Sequence, residues 1–149
     1  MKPVNQIKLT LPSLSSNESF ARVAVGAFVS QLDPTVDELA DIKTAVSEAV
    51  TNCIVHAYRE TIGNIYITAQ IREDYSLLIR VRDRGCGIDN IKQAMEPLFT
   101  TAGGERAGLG FAVMQSFMDG LKVYSKVGRG TSITMIKKIS MRIGNNATK

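Results

Sequence analysis

Apolar residues recur at every second position near the start of the chain. Across residues 4–11, Ile7, Leu9 and Leu11 share one side, with Lys8 between the first two. This period of two predicts a half-buried strand. Further strands are predicted at four later segments, which are 65–71 (Ile65, Ile67 and Ile71 on one face), 77–81 (Leu77, Ile79 and Val81), 121–125 and 131–139.

The segment between the first two predicted strands has apolar residues at helical spacing. Ser15 and Glu18 are placed to form a capping box, in which the two side chains satisfy exposed N–H groups reciprocally. A helix follows, and its core face is predicted at Phe20, Val23, Ala24, Ala27 and Phe28. The basic residue Arg22 is therefore expected on the exposed side of this helix.

A second, longer helix is predicted to open at Asp33-Pro34, with Asp as N-cap and Pro at the first helical position. It runs to about Tyr58. Its core stripe is predicted at Val36, Leu39, Ile42, Val46, Ala49, Val50 and Cys53. A short helix around Ile91–Met95 and a helix over 111–118 complete the pattern.

This order of elements predicts the α+β class. We expect a two-layer α/β sandwich, with a mixed, mainly antiparallel sheet covered by helices on one face. Residues 1–139 are expected to form one domain, and 140–149, which lack a clear period, a flexible tail.

Composition narrows the class of protein. The 149 residues are 44% hydrophobic and 21% charged, as in a globular domain. Cys53 and Cys86 form no CxxC pair, and neither a secretory signal nor a membrane-spanning run is evident, so a cytoplasmic protein is expected. The net charge of +4 suggests nucleic acid, but the basic residues are scattered. We expect an acidic protein partner at most, with no direct nucleic-acid or membrane binding.

The longer helix carries the sharpest chemical signal. Glu48, Asn52 and His56 are spaced by four residues, so they share a face beside the apolar stripe. An Asn oxygen suits Mg²⁺, and a Glu one turn earlier could accept a proton from an attacking hydroxyl. Taken alone, this pair is outweighed by its alternative, a solvated polar face.

Glycine-containing segments supply three further signals. Asp83-Arg84-Gly85-Cys86-Gly87 directly follows a strand, and its Asp is placed to accept a hydrogen bond from an exocyclic amine such as that of adenine. Gly108-Leu109-Gly110-Phe111 is expected at a helix N-terminus, where exposed N–H groups favour phosphate. Gly128-Arg129-Gly130-Thr131 reads as a turn between strands. Each has a plain alternative as an ordinary turn or loop.

The order of these four signals resembles the N, G1, G2 and G3 boxes of the Hsp90-like, histidine-kinase-like ATPase superfamily. The resemblance implies ATP binding, with Mg²⁺ on Asn52 and the adenine amine on Asp83. It further implies a nucleotide pocket shaped by Gly85, Gly87, Gly108 and Gly110, Thr131 beside the adenine, and an ATP lid over 100–110.

A chain of this length is expected to hold none of the extra domains of histidine kinases and chaperones, which favours the anti-sigma factors that are serine kinases. Four strings, at 17–22, 31–35, 46–52 and 97–101, together resemble the sporulation anti-sigma F factors of spore-forming Gram-positive bacteria. That resemblance implies a homodimer that captures a sigma factor and phosphorylates a serine of an anti-anti-sigma antagonist. It makes Glu48 the catalytic base, and Arg22, Glu105 and Arg106 partner-facing residues.

One departure and two alternatives accompany this interpretation. The lid reads Ala102-Gly103-Gly104, which is looser than the family pattern and puts the finer lid contacts in doubt. The first alternative is a kinase of the same branch that serves another sigma factor, such as a general stress factor. The second is a non-catalytic module that uses ATP only as a ligand, and Glu48 argues against it because a pure binder needs no base.

Overall fold

In the computed structural model, the described residues are 2–95 and 105–140, and residues 105–108 are described by their backbone alone. The strands are β1 (Pro3–Pro12), β2 (Asn64–Arg72), β3 (Ser76–Asp83), β4 (Gly120–Lys126) and β5 (Gly130–Lys138). The helices are α1 (Ser16–Val29), α2 (Val36–Asn52), α3 (Ile91–Ala94) and α4 (Glu105–Phe117). A 3₁₀ turn, Ser30–Leu32, follows α1, and a π-helical turn, Cys53–Ala57, continues α2.

The strands form one sheet in the order β1-β2-β3-β5-β4, and every described pairing is antiparallel. The α+β sandwich is therefore confirmed. Helices cover only one face, because one side of each central strand is apolar and fully buried while the other is not. The buried side includes Ile65, Ile67, Leu77, Ile79, Val81, Ile133 and Met135. The predicted strand positions are all confirmed, with ends displaced by a residue or two at most sites.

The predicted core face of α1 is wrong in part. Phe28 is buried, but Phe20 and Val23 are 53% and 55% exposed. The helix instead packs Ala21, Val25, Phe28 and Val29 inward against the domain. An apolar stripe therefore remains on the outer surface of α1, where the sequence suggested the core.

The helix starts also differ from prediction. At Ser15 no side-chain cap forms, since Ser15 itself has helical dihedrals, so the capping box at α1 is absent. In α2 the N-cap is Thr35, not Asp33, whose φ of 51° is left-handed. Thr35 Oγ1 accepts from Glu38 N at 3.0 Å, and Thr35 N donates to Glu38 Oε1 at 2.8 Å, which makes a full capping box there. Val36, predicted in the core stripe, is consequently exposed at the first helical position.

The predicted flexible tail lies almost wholly outside the described residues, which end at Ser140. That residue is exposed, and its backbone N–H donates to Glu38 Oε2 at 2.9 Å, so the end of the described chain contacts the start of α2. Among the described helices, none combines the length and the apolar character that a membrane crossing requires.

Candidate active site

The polar face of α2 meets α4 at Gly110. A Cβ atom placed on Gly110 would lie 3.0 Å from Glu48 Oε2 and 3.3 Å from Asn52 Oδ1. Both side-chain oxygens therefore face the same point on the α4 backbone. The absence of a side chain at Gly110 leaves the space that the two polar groups occupy, so the structure brings together the predicted Glu48, Asn52 and Gly110.

Asn52 has an unusual environment for an amide. It is only 9% exposed, and its Nδ2 is buried with no hydrogen-bond partner among the described residues. Leaving a buried donor unpaired costs about 1–3 kcal/mol, so native proteins rarely do so without a reason. A side chain held this way is expected where a ligand completes its hydrogen bonds.

The π-helical turn begins directly after Asn52. Tyr58 N donates to Cys53 O at 3.0 Å, the i→i+5 bond that defines such a turn. Because the wider turn interrupts the spacing of four, His56 does not continue the row of Glu48 and Asn52 in a regular α-helix. The predicted shared face is confirmed for Glu48 and Asn52, which both approach Gly110, and for His56 it stays a prediction. Single π-turns within helices are frequent at functional sites.

Asp83 ends β3 and is buried, with 8% of its surface exposed. Its Oδ1 accepts from Gly85 N at 2.9 Å and Thr131 N at 3.1 Å. Burial raises the pKa of the Asp83 carboxyl above its usual value, and these hydrogen bonds oppose that rise only in part. The two backbone donors fix the carboxylate and leave Oδ2 for another group.

Cys53 supplies that other group, and sequence reasoning missed it. Its thiol donates to Asp83 Oδ2 across 3.6 Å from the end of α2. Burial, and then the negative charge of Asp83, raise the pKa of the Cys53 thiol well above its usual range, so it stays a donor. The sequence pattern placed Cys53 in the core stripe, and no spacing rule links it to Asp83.

Gly85 allows the loop after β3 to lie against the π-helical turn. A Cβ atom there would come within 2.4 Å of the Ala57 carbonyl oxygen, which accepts from Cys86 N at 3.1 Å. Tyr58 fixes the same loop, because its hydroxyl accepts from Arg84 N at 2.6 Å and donates to Asn64 O at 2.7 Å. A larger residue at position 85 would push the loop away from the π-helical turn, and would thereby separate Asp83 from α2, the helix that carries Asn52.

The last strand pair closes the site. Gly130 has a φ of 128°, and a Cβ there would meet the Asp83 backbone. Thr131 Oγ1 lies 2.8 Å from Ser125 Oγ, which also accepts from Ile88 N at 2.7 Å. Gly87, with a φ of 79°, packs against β4 in the same loop. Asp83, Gly85, Gly87 and Thr131 thus belong to one hydrogen-bonded corner, and Ser125 is a member that the sequence pattern did not indicate.

The predicted helix N-terminus at Gly108 is wrong. α4 begins at Glu105, so Gly108 and Gly110 lie within the helix, and Gly110 contacts the site through its packing on α2. Residues 100–104 of the proposed lid, which spans 100–110, fall outside the described residues, and the side chains of Glu105 and Arg106 are not described. Arg22 lies apart on α1, where it is half-buried and 3.7 Å from Glu18.

These residues fit a nucleotide with Mg²⁺. Glu48 and Asn52 present side-chain oxygens at one point, and oxygen is the ligand that Mg²⁺ prefers. The described part of the chain contains no group of three or more His, Cys, Asp or Glu that could hold a metal ion. A bound Mg²⁺ would therefore use Asn52 with phosphate and water oxygens, which is its usual coordination in nucleotide sites.

Comparisons with known proteins agree with this geometry. Residues 11–137 match the family model of the histidine kinase-like ATPase domain. The anti-sigma F factor of Caldanaerobacter subterraneus subsp. tengcongensis is 57% identical over 136 residues, covering 91% of this chain and 94% of that protein. That of Anoxybacillus flavithermus is 49% identical over 137 residues, covering 91% and 94%. The RsbU and RsbW domains of a Mycobacterium tuberculosis protein have a TM-score of 0.69 at 20% identity, covering 94% of this chain and 34% of that one, a likeness of fold.

Proposed function

The chain belongs to the anti-sigma F factor family of histidine kinase-like ATPase domains, and we propose that it couples sigma capture to serine phosphorylation. It is an anti-sigma factor with a kinase-like ATPase domain. In this proposal it binds and inhibits a sporulation sigma factor. It also transfers the γ-phosphate of Mg-ATP to a serine of an anti-anti-sigma antagonist.

The buried amide of Asn52 is the observation that carries this proposal. Its Nδ2 has no partner among the described residues, while its Oδ1 and Glu48 Oε2 approach the same point beside Gly110. An amide oxygen beside a carboxylate suits a metal–phosphate group. Asn52 would hold Mg²⁺, which supplies charge neutralisation for the transferred phosphoryl group when it is bound.

The carboxylate of Asp83 would select the adenine base of the nucleotide. Oδ1 is occupied by two backbone donors, and Oδ2, which accepts from the Cys53 thiol, has a second lone pair for an exocyclic amine such as that of adenine. The backbone N–H groups of Gly85 and Thr131 keep this carboxylate in place, and Gly87 lets the following loop pack against the end of β4. Gly108 would line the phosphate side through the α4 backbone.

Glu48 would serve as the general base. A serine hydroxyl is a weak nucleophile, and a positioned carboxylate assists by accepting its proton as the bond to phosphorus forms. Glu48 is half-buried one turn before Asn52, so its carboxylate lies beside the proposed metal ligand without replacing it. This separation of roles is what distinguishes a kinase from a module that only binds ATP.

Gly110→Ala tests the packing that joins α4 to the site. Within a helix, alanine is more favourable than glycine by up to about 1 kcal/mol, so the variant is expected to keep its thermal stability. The added methyl would crowd Glu48 and Asn52, at 3.0 and 3.3 Å. We expect weaker ATP binding, measured by calorimetry, with an unchanged melting temperature. Gly128→Ala is the control for replacing a glycine, because a Cβ atom added there would have no atom within 4 Å. Since Gly128 has a φ of 78°, this control variant will lose some folding stability.

Partner binding would use α1. Arg22 is a half-buried cation on this helix, and Phe20 and Val23 are exposed apolar residues of the same helix. Exposed apolar and basic groups on one helix suit a protein partner. The exposed stripe also supports the proposed homodimer, because a second copy would bury it. Glu105 and Arg106 at the start of α4 remain proposed partner-facing residues.

Arg22→Ala tests the anti-sigma part of the proposal. We expect ATP affinity to stay at the wild-type value while affinity for both the sigma factor and the antagonist falls by at least about tenfold, or ~1.4 kcal/mol. Co-purification and titration with each purified partner, in the presence of ATP, measure this. Arg59→Ala, an exposed arginine after the π-helical turn, is the matched control. Wild-type affinity for both partners would remove Arg22 from the binding surface.

A further inference from the structure

The face of the sheet opposite the helices carries a row of arginines. Arg80 and Arg82 project from β3 on this open face, and Arg84 follows directly after the strand. Across the sheet, Arg80 pairs in register with Thr134 and Arg82 with Ser132. A groove of about 660 Å³ lies over these strands, lined by Arg80, Arg82, Arg84, Tyr124, Lys126 and Arg129 among others.

Five of the residues that line this groove are cationic and one, Asp83, is acidic, so positive charge is in excess. The two ion pairs in the described part of the chain are Arg22 with Glu18 and Lys137 with Asp41, and neither lies on the open face. Lys8 and Lys122 add charge at the same level of the sheet, in register with Thr68 and Thr134. A groove with this excess of positive charge attracts a polyanionic segment.

The arginines are also held in place. The guanidinium groups of Arg82 and Arg84 stack on the Tyr66 ring, 5.8 and 5.0 Å from its centroid. Arg80 Nε donates to Thr134 Oγ1 at 3.4 Å. Side chains restrained before binding lose less conformational entropy on association, and the planar guanidinium matches a carboxylate with two parallel hydrogen bonds.

We propose that this groove docks an extended acidic segment of a protein partner. Successive same-face residues of a strand repeat every ~6.8 Å, so Arg80, Arg82 and Arg84 match alternate carboxylates on a peptide that runs along β3. Single-stranded nucleic acid instead needs free ring faces on which bases stack. Tyr66 is covered by two arginines, which leaves Tyr124 as the ring exposed along the groove. These contacts favour an acidic peptide.

The groove borders the proposed nucleotide site, because Asp83 and Thr131 are among its lining residues, but its arginines project from the other face of the sheet. Side chains alternate along β3, so Ile79, Val81 and Asp83 face the helices while Arg80 and Arg82 face outward. Replacing the two arginines should therefore leave ATP binding unchanged. This makes the docking proposal independent of the proposed kinase activity, and each can fail without the other.

The experiment uses the full chain and a fluorescent peptide of about ten alternating Glu and Ser residues, the length of a long strand. At low salt we expect this peptide to bind at least about tenfold more tightly than a Gln-Ser peptide, and more tightly than an oligouridylate of equal charge. Arg80→Glu with Arg82→Glu should abolish the preference. Arg59→Glu with Lys92→Glu, the same change in charge at two other exposed positions, should preserve it.

Three outcomes would overturn the proposal: equal binding of the Glu and Gln peptides, wild-type binding by the Arg80→Glu, Arg82→Glu variant, or tighter binding of the oligouridylate. Wild-type ATP affinity in calorimetry verifies that the variant is folded. If that variant is unfolded, Arg80→Gln with Arg82→Gln replaces it. We expect the affinity of this second variant for the Glu peptide to fall at least about threefold. Unchanged affinity in the folded Gln variant would contradict docking at this face.

Discussion

Glu48→Gln is expected to retain ATP binding and sigma capture while phosphate transfer to the antagonist falls at least ~10²-fold. Glutamine keeps the shape of the side chain and removes its basicity, and general base catalysis typically contributes ~10²–10⁴-fold. The charge on the transferred phosphoryl group would be met separately, by the metal on Asn52 and by backbone groups. Because these roles lie on different residues, substitution should separate them.

Single-turnover transfer from labelled ATP, run beside direct ATP binding on the same protein, measures both effects of Glu48→Gln. Glu60→Gln is a matched control, since Glu60 is an exposed glutamate beyond the π-helical turn. Transfer at nearly the wild-type rate would exclude Glu48 as the base and favour a module that only binds ATP. A variant that binds no ATP would instead place Glu48 among the groups that hold the metal.

Asn52→Ala carries the second large expected effect. We expect Mg-dependent ATP affinity to fall at least ~10²-fold, about 2.7 kcal/mol, since this side chain is the proposed link between protein and metal. Stability should change little, because Nδ2 has no partner to lose among the described residues. Calorimetry with and without Mg²⁺, together with thermal melting, distinguishes the two effects.

Asn64→Ala is the control for Asn52→Ala, since Asn64 is exposed and its known contact to Tyr58 uses the backbone oxygen. Wild-type affinity in Asn52→Ala would remove this residue from the metal site. A large fall in melting temperature would show that the amide is a structural group, contrary to its environment in the fold.

The sequence predicted the sheet well because strand periodicity is local. In β1 to β5 most apolar residues lie on one side, Leu78 and Ile136 being exceptions, and that period survives any arrangement of the strands. Periodicity could not show which face of α1 packs against the rest of the domain. Apolar residues occupy two sides of that helix, Phe20 and Val23 on one and Val25 and Val29 on the other, so the period alone allows either orientation.

The start of α4 was also beyond sequence reasoning. Gly108 and Gly110 have low helix propensity, and the pattern placed them before the helix. In the structure, packing on α2 outweighs propensity, because a glycine at 110 lets the two helices approach at Glu48 and Asn52. Tertiary contacts of this kind have no local signature in the sequence.

Some residues of the candidate site could be predicted from the sequence, and others could not. Glu48 and Asn52 were predictable because they are one helical turn apart, and Asp83 because it follows a strand and precedes glycines. Cys53 and Ser125 were not, because no local spacing rule links Cys53 to Asp83 or Ser125 to Thr131. The π-helical turn after Asn52 likewise depends on its surroundings in three dimensions.

Transfer of labelled γ-phosphate to a purified anti-anti-sigma antagonist, with mass spectrometry to locate the modified residue, tests the central claim most directly. We expect Mg-dependent labelling of a single serine of the antagonist by the wild-type chain, and loss of that labelling in Glu48→Gln. ATP that binds normally while the antagonist stays unlabelled would contradict a kinase. So would label found on histidine or on this chain itself.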